Sequence, residues 1–193
     1  CSCFGYDTPI QIGEKDFMAI QLFESGDHVL TAGFDSAGKI EWSQNTVTYS
    51  AGVSPNNESK FMVYVRYGNS SNQFNDIIVT EEHLFLNDQG SLTPAAALQE
   101  GDLLISPSGD KLTVLMAVSG SYLGGVHHIS TGEFNGVDLD GHLLNSNMVV
   151  TADFAVQSSY VLGAIDRGML VEDLEVRPRV GSDEHIQNNC SKD

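Results

Sequence analysis

The sequence predicts an all-β domain, compact and with pseudo-two-fold symmetry. Three observations carry this: many short runs rich in β-branched and aromatic residues, Gly/Asp/Asn/Ser turns between them, and one segment that echoes itself later in the chain. The strand-like runs fall at residues 17–23, 29–32, 39–50, 60–67, 76–80, 83–86, 103–106 and 111–118, with later ones at 126–131 and 148–157. Turn clusters at 35–38, 54–57, 68–71, 87–90 and 108–110 separate them. A short helix is expected at 94–98, with Thr93 as its cap.

The echo aligns Phe23-Glu24-Ser25-Gly26-Asp27-His28-Val29-Leu30 with Leu98-Gln99-Glu100-Gly101-Asp102-Leu103-Leu104-Ile105. In each copy Gly-Asp precedes an apolar run, so a tight turn with Gly at positive φ should launch a buried strand. A second glycine turn follows each copy, at Gly38 and Gly109. Two related β subdomains account for this pattern. Past Gln157 the character changes: residues 160–174 carry apolar side chains at roughly helical spacing, and the chain beyond Pro178 is polar. The main domain is therefore placed at residues 1–157 and a C-terminal extension, partly helical and then disordered, at 158–193.

Composition narrows the functional classes. Apolar residues make up 41% of the 193, enough for a real core and too many for a disordered chain. The net charge of −17 leaves no basic track for a phosphate backbone, so nucleic acid is not an expected partner. No run approaches the roughly 18–20 apolar residues of a membrane span. Cys1, Cys3 and Cys190 form neither a disulfide framework nor a four-ligand metal spacing, so no metal or other cofactor is expected. A monomer is expected. The sequence opens on Cys1 without an initiator Met and reads as a fragment or a processed product.

Two places can carry chemistry. Cys3, in Cys3-Phe4-Gly5-Tyr6-Asp7-Thr8-Pro9-Ile10, offers a thiol that becomes a nucleophile when a base takes its proton. Thr80-Glu81-Glu82-His83 ends an apolar strand; if the chain turns there, hydroxyl and imidazole converge on one reacting group. As residues alone, both also have an ordinary structural reading: Cys3 as a small buried side chain, Thr80 and His83 as a turn threonine and a hydrogen-bonded histidine. His127, His128 and His142 are alternatives without a matching partner pattern.

Taken in order, these blocks resemble the Hint superfamily of Hedgehog C-terminal regions and inteins, and the Hedgehog type more than the splicing type. Cys3-Phe4 with Thr8 five positions on matches the opening block, and Gly26-Asp27-His28-Val29-Leu30 the next. Thr80-x-x-His83 followed by Leu84-Phe85-Leu86 comes third, then Ala97-Leu98-Gln99-Glu100-Gly101-Asp102. Gly141-His142-Leu143-Leu144-Asn145-Ser146-Asn147 and Ala152-Asp153-Phe154-Ala155-Val156 look like the last strand pair of Hedgehog-type members.

The resemblance implies an autoprocessing reaction on the chain's own N-terminal flanking polypeptide. Cys3 would attack the carbonyl of Ser2 and turn the peptide into a thioester, with Thr80 and His83 assisting and Asp153 as a fourth member that orients His83 or a water. Two departures shape the outcome. No His-Asn pair stands at the end of the domain, so splicing is not expected. Hedgehog proteins have Cys where this chain has Asp153, and their sterol-assisting Asp falls near Ser50, so cholesterol transfer is not expected either. Water or a thiol is then the acceptor, with a lipid alcohol left open. The resemblance favours a secreted or cell-surface setting. The competing readings are a catalytically inactive Hint-like module that binds protein, and a small secreted β domain whose likeness is coincidental.

Overall fold

The computed structural model describes residues 3–166. Strands β1 (Phe4–Gly5), β2 (Pro9–Gln11) and β3 (Phe17–Ala19) lead through a 3₁₀ turn, Ile20–Leu22, into the hairpin of β4 (His28–Phe34) and β5 (Ile40–Thr46). Next come β6 (Tyr49–Val53), β7 (Lys60–Gly68), β8 (Phe74–Val79), β9 (Leu84–Leu86) and β10 (Leu92–Pro94). A second 3₁₀ turn, Ala95–Ala97, precedes β11 (Leu103–Ile105), β12 (Lys111–Tyr122) and β13 (Val126–Ser130). The chain closes with β14 (Leu143–Ser146), β15 (Val149–Ala152) and one helix, α1 (Phe154–Asp166).

All pairings are antiparallel and make two sheets. One runs β11-β12-β7-β8-β1-β13-β6; the other runs β10-β9-β15-β14-β2-β3, with β4 on β14 and β5 on β4. Phe4, Ile10, Ile20, Val63, Val65, Tyr67, Phe85, Leu104, Ile129 and Leu144 join both sheets in one buried cluster. The all-β class expected from the sequence is what the chain adopts.

The echo is a structural repeat down to its hydrogen bonds. Gly26 (φ +102°) and Gly101 (φ +94°) both hold the left-handed conformation that favours glycine. Gly26 N–H donates to Val47 O at 2.8 Å and Gly101 N–H to Val114 O at 2.8 Å. The Asp27 carboxylate takes Glu24 N–H at 2.8 Å, and the Asp102 carboxylate takes Gln99 N–H at 2.8 Å. Each copy follows a strand and a 3₁₀ turn, so the two halves share one path.

Several elements differ from expectation. The run 39–50 is two strands in different sheets, because the Val47 peptide is held by the Gly26-Asp27 turn and Thr48 N–H already bonds Ser130 O at 2.8 Å. The expected helix at 94–98 is only the 3₁₀ turn. Its N-cap is Pro94 without a side-chain cap bond, and the Thr93 hydroxyl instead accepts from Asn87 Nδ2 at 3.0 Å. The run 148–157 is a four-residue strand followed directly by a helix. The boundary placed at 157/158 thus falls inside α1, and residues 167–193 lie outside the described residues. No helix among the described residues is long and apolar enough to cross a membrane.

Candidate active site

β1 is only two residues long, yet it lies inside its sheet, between β8 and β13. Phe4 pairs with Val79 on one side and with His127 on the other. Continuing both registers back by one residue sets Cys3 between Thr80 and His128. Residues opposite each other in antiparallel strands share a face, so these side chains reach Cys3 without any special loop.

On the β8 side, Thr80 N–H donates to Cys3 O at 3.0 Å, as a ladder requires. The return bond is altered. Thr80 O is taken by His83 N–H at 3.1 Å, closing the Thr80-Glu81-Glu82-His83 turn. Cys3 N–H donates instead to the Thr80 hydroxyl, at 2.9 Å. A hydroxyl therefore stands where a carbonyl would ordinarily be. Unlike a carbonyl it has a proton of its own to give. The nitrogen it faces is that of the Ser2–Cys3 peptide.

On the β13 side, the Cys3 thiol lies 3.3 Å from His128 Nδ1. Both groups are buried: Cys3 is 0% exposed and His128 1%. Burial pushes the Cys3 thiol up to about 12 and the His128 imidazole down to about 3. Around neutral pH the resting pair is a neutral thiol in hydrogen-bond contact with a neutral imidazole. His128 lies in a ring cluster, with the Phe154 ring parallel to it at 3.9 Å and 9° and Tyr49 stacked at 5.6 Å and 23°.

His83 is fully buried beside the residue after the nucleophile. Its ring lies edge-on to Phe4 at 4.2 Å and to Phe85 at 5.7 Å. Burial lowers it to about 3, so it is neutral, with one donor and one acceptor nitrogen. Neither nitrogen has a partner among the described residues. Buried polar atoms are nearly always satisfied, so an imidazole with both nitrogens open beside Phe4 has room to accept or donate one further hydrogen bond. The turn that carries it is fixed by the second 3₁₀ turn, through Ala95 N–H to His83 O at 2.8 Å and Ala96 N–H to Glu81 O at 3.0 Å.

Asp153 does not orient His83. One carboxylate oxygen takes His142 Nδ1 at 2.9 Å and Thr131 N–H at 3.1 Å; the other takes Val156 N–H at 3.2 Å and caps α1. The hydrogen bond to Asp153 raises His142 above its ordinary value, and the contact ties the loop before β14 to the start of the helix. Ser50, the position nearest the sterol-assisting Asp, is likewise engaged. Its hydroxyl donates to Phe23 O at 2.6 Å and meets His127 Nε2 at 2.7 Å, which makes that imidazole nitrogen the donor. This pair lines an open cleft of about 450 Å³ with Tyr6, Gln21 and Gly52. Successive side chains of β13 alternate between faces, so the cleft lies on the opposite face from the Cys3–His128 contact.

Of the residues singled out in the sequence, the structure thus brings Cys3, Thr80 and the neighbourhood of His83 together and sends Asp153 elsewhere. His128 stood among the alternatives in the sequence, with no partner pattern to single it out. Its signal was faint: adjacent histidines in a strand face opposite sides, so one of the two had to face Cys3 once β13 was placed beside β1.

This architecture is that of a known class. The chain has the Hint fold of inteins, with two antiparallel sheets built from a repeated unit. It is similar to the solution structure of a bacterial intein-like domain from Clostridium thermocellum, at TM-score 0.61 and 20% identity over 79% of this chain and 99% of that one. It is similar also to a DnaB intein from Synechocystis sp. PCC 6803, at TM-score 0.58 and 13% identity over 79% and 99%. The crystal structure of the gp41-1 intein matches at TM-score 0.55 and 18% identity over 79% and 99%. No family model matches the sequence, and no curated protein matches it. The structures named are of the intein kind, and the finer Hedgehog-type reading rests on the sequence.

Proposed function

We propose that the chain is a self-processing domain, in which Cys3 converts the Ser2–Cys3 peptide into a thioester and so readies the upstream polypeptide for release. The observation that carries this reading is the Thr80 hydroxyl on the amide nitrogen of Cys3, with His128 on the thiol of the same residue. Sulfur and nitrogen are the two atoms that exchange the acyl group, and each has its own proton-handling side chain.

The step balances without a co-reactant. The S–C bond to the Ser2 carbonyl forms, the C–N bond of the peptide breaks, and the proton lost by sulfur is the one nitrogen gains. His128 accepts from sulfur as the new bond forms. Thr80 faces the departing nitrogen with a hydroxyl able to donate. His83, neutral and unpaired beside Phe4, is placed to serve the same peptide. Because the attacking group and the bond attacked belong to one residue, held in a ladder, the reaction is intramolecular and spared the entropic cost of an encounter. Attack by water, a thiol or another small nucleophile on the thioester then frees the upstream chain and returns the Cys3 thiol.

The residues favour cleavage over splicing. β15 ends at Ala152 and is followed by Asp153, with no asparagine to cyclise there, and the Asp153 carboxylate is held by His142 and the helix. The test is a fusion carrying a longer N-terminal polypeptide. Its spontaneous loss in the wild type, abolished in Cys3→Ala and unchanged in Cys1→Ala, supports the reading. A fusion that stays intact, with or without added thiol, favours an inactive Hint-like module instead.

A further inference from the structure

α1 follows the last strand directly, and its first residue lies on the candidate base. We propose that Phe154 is a positioning residue for the Cys3–His128 pair, making α1 part of the reaction centre rather than an appendage. The inference rests on the self-processing reading for its consequence in rate, and on geometry alone for its effect on His128.

Three contacts argue it. The Phe154 ring lies flat on the His128 imidazole, with centroids 3.9 Å apart and planes 9° from parallel. Tyr49 of β6 stacks near both rings, at 5.6 Å from His128 and 5.9 Å from Phe154, and so completes the cluster. Phe154 is itself fixed, because the preceding Asp153 caps the helix through Val156 N–H and is clamped by His142 and Thr131. An imidazole between β-strand neighbours still rotates about its Cβ–Cγ bond, which has broad, roughly two-fold preferences. A ring lying flat against it restricts that rotation and keeps Nδ1 aimed at the Cys3 sulfur.

The same ring excludes water from the imidazole. Among the described residues the titratable groups around His128 are Cys3 just before β1, His83 in the turn after β8, His127 in its own strand and Tyr49 on β6, and the N-terminal amino group also lowers it in the chain without a fusion. α1 contributes the apolar Phe154 ring. Desolvation is the largest influence on the His128 acidity. Removing the ring admits water and moves the imidazole up from about 3 toward its ordinary value.

The experiment has two readouts. In the 193-residue chain without a fusion, NMR titration of the His128 imidazole should give a higher value in Phe154→Ala than in the wild type, with Phe154→Tyr restoring the wild-type value. In the N-terminal fusion, Phe154→Ala should slow release roughly three- to tenfold, the scale of one aromatic pair, and by more at pH 5 than at pH 8. Phe154→Tyr should recover both rate and pH profile. An unshifted His128 titration in Phe154→Ala, or slowing equal at every pH and not rescued by Tyr, overturns the proposal. A wild-type fusion that never cleaves, together with a shifted titration, sinks the self-processing reading while leaving Phe154 as the residue that sets His128. Phe154 is only half buried, so its truncation is not expected to unfold the domain.

Discussion

Acidification should destabilise the chain through two buried histidines before its carboxylates matter. His83 and His128 are neutral in the folded state, held by burial near 3, whereas in the unfolded chain each returns to about 6.5. A base whose folded value is depressed gives its full stability above 6.5 and loses it as pH falls toward 3. At pH 5 the unfolded state gains about 2 kcal/mol from protonating each ring, about 4 kcal/mol for the pair. The figure depends only on the unfolded value, provided the folded value lies well below 5. Domains of this size are stable by about 5–15 kcal/mol, so a large share is at stake. With a urea slope of about 2 kcal/mol per molar, these two rings should lower the unfolding midpoint by about 2 M between pH 7 and pH 5, with His127 adding to the fall and His142 opposing it. His83→Leu fills a similar volume and cannot titrate, so its midpoint should fall about 1 M less over the same interval. Equal pH dependence in wild type and His83→Leu would refute the claim that His83 is buried and neutral.

Other consequences follow from the same geometry. His128→Ala should slow thioester formation roughly 10²–10⁴-fold, the usual worth of a positioned base, measured as release of the fusion under added thiol. Thr80→Val leaves the Cys3 N–H unpaired and should cost about 1–3 kcal/mol in urea unfolding and slow release by on the order of ten- to a thousandfold; Thr80→Ser should restore both. The His142–Asp153 pair runs opposite to His83, because His142 is raised in the folded state. Its contribution is full below 6.5 and lost as pH rises through the folded value, so the stability gap between wild type and His142→Gln should be wider at pH 6 than at pH 9.

Much of this was legible in the sequence, and the missing parts share a cause. Gly26-Asp27 and Gly101-Asp102 announced a repeat because a left-handed glycine followed by a capping aspartate is a local device, complete within four residues. Thr80 and His83 were legible for the same reason: one turn brings them to one place. The strand break at Val47 was not, since residues 39–50 keep strand-like composition throughout and only the distant partners Asp27 and Ser130 decide where the chain changes sheets. β1 and β2 are too short for any run of propensity to mark, and exist because neighbours pair with them. His128 is 125 residues from Cys3, so nothing near either residue says that they meet. Asp153 was read as an aid to His83 or to a water, whereas His142, in the loop before β14, reaches it first. Side chains whose roles are set within a turn could be read; those set by sheet order could not.

The central claim is that the acyl group of Ser2 passes to the sulfur of Cys3, and one measurement reaches it directly. An N-terminal fusion is incubated with a small sulfonated thiol, and the released upstream fragment is weighed by mass spectrometry. A thioester exchanges with an added thiol and a peptide does not, so the fragment should end at Ser2 and carry the mass of that thiol, with none released from Cys3→Ala. A fragment ending in a plain carboxylate, released at the same rate from wild type and Cys3→Ala, would contradict the account.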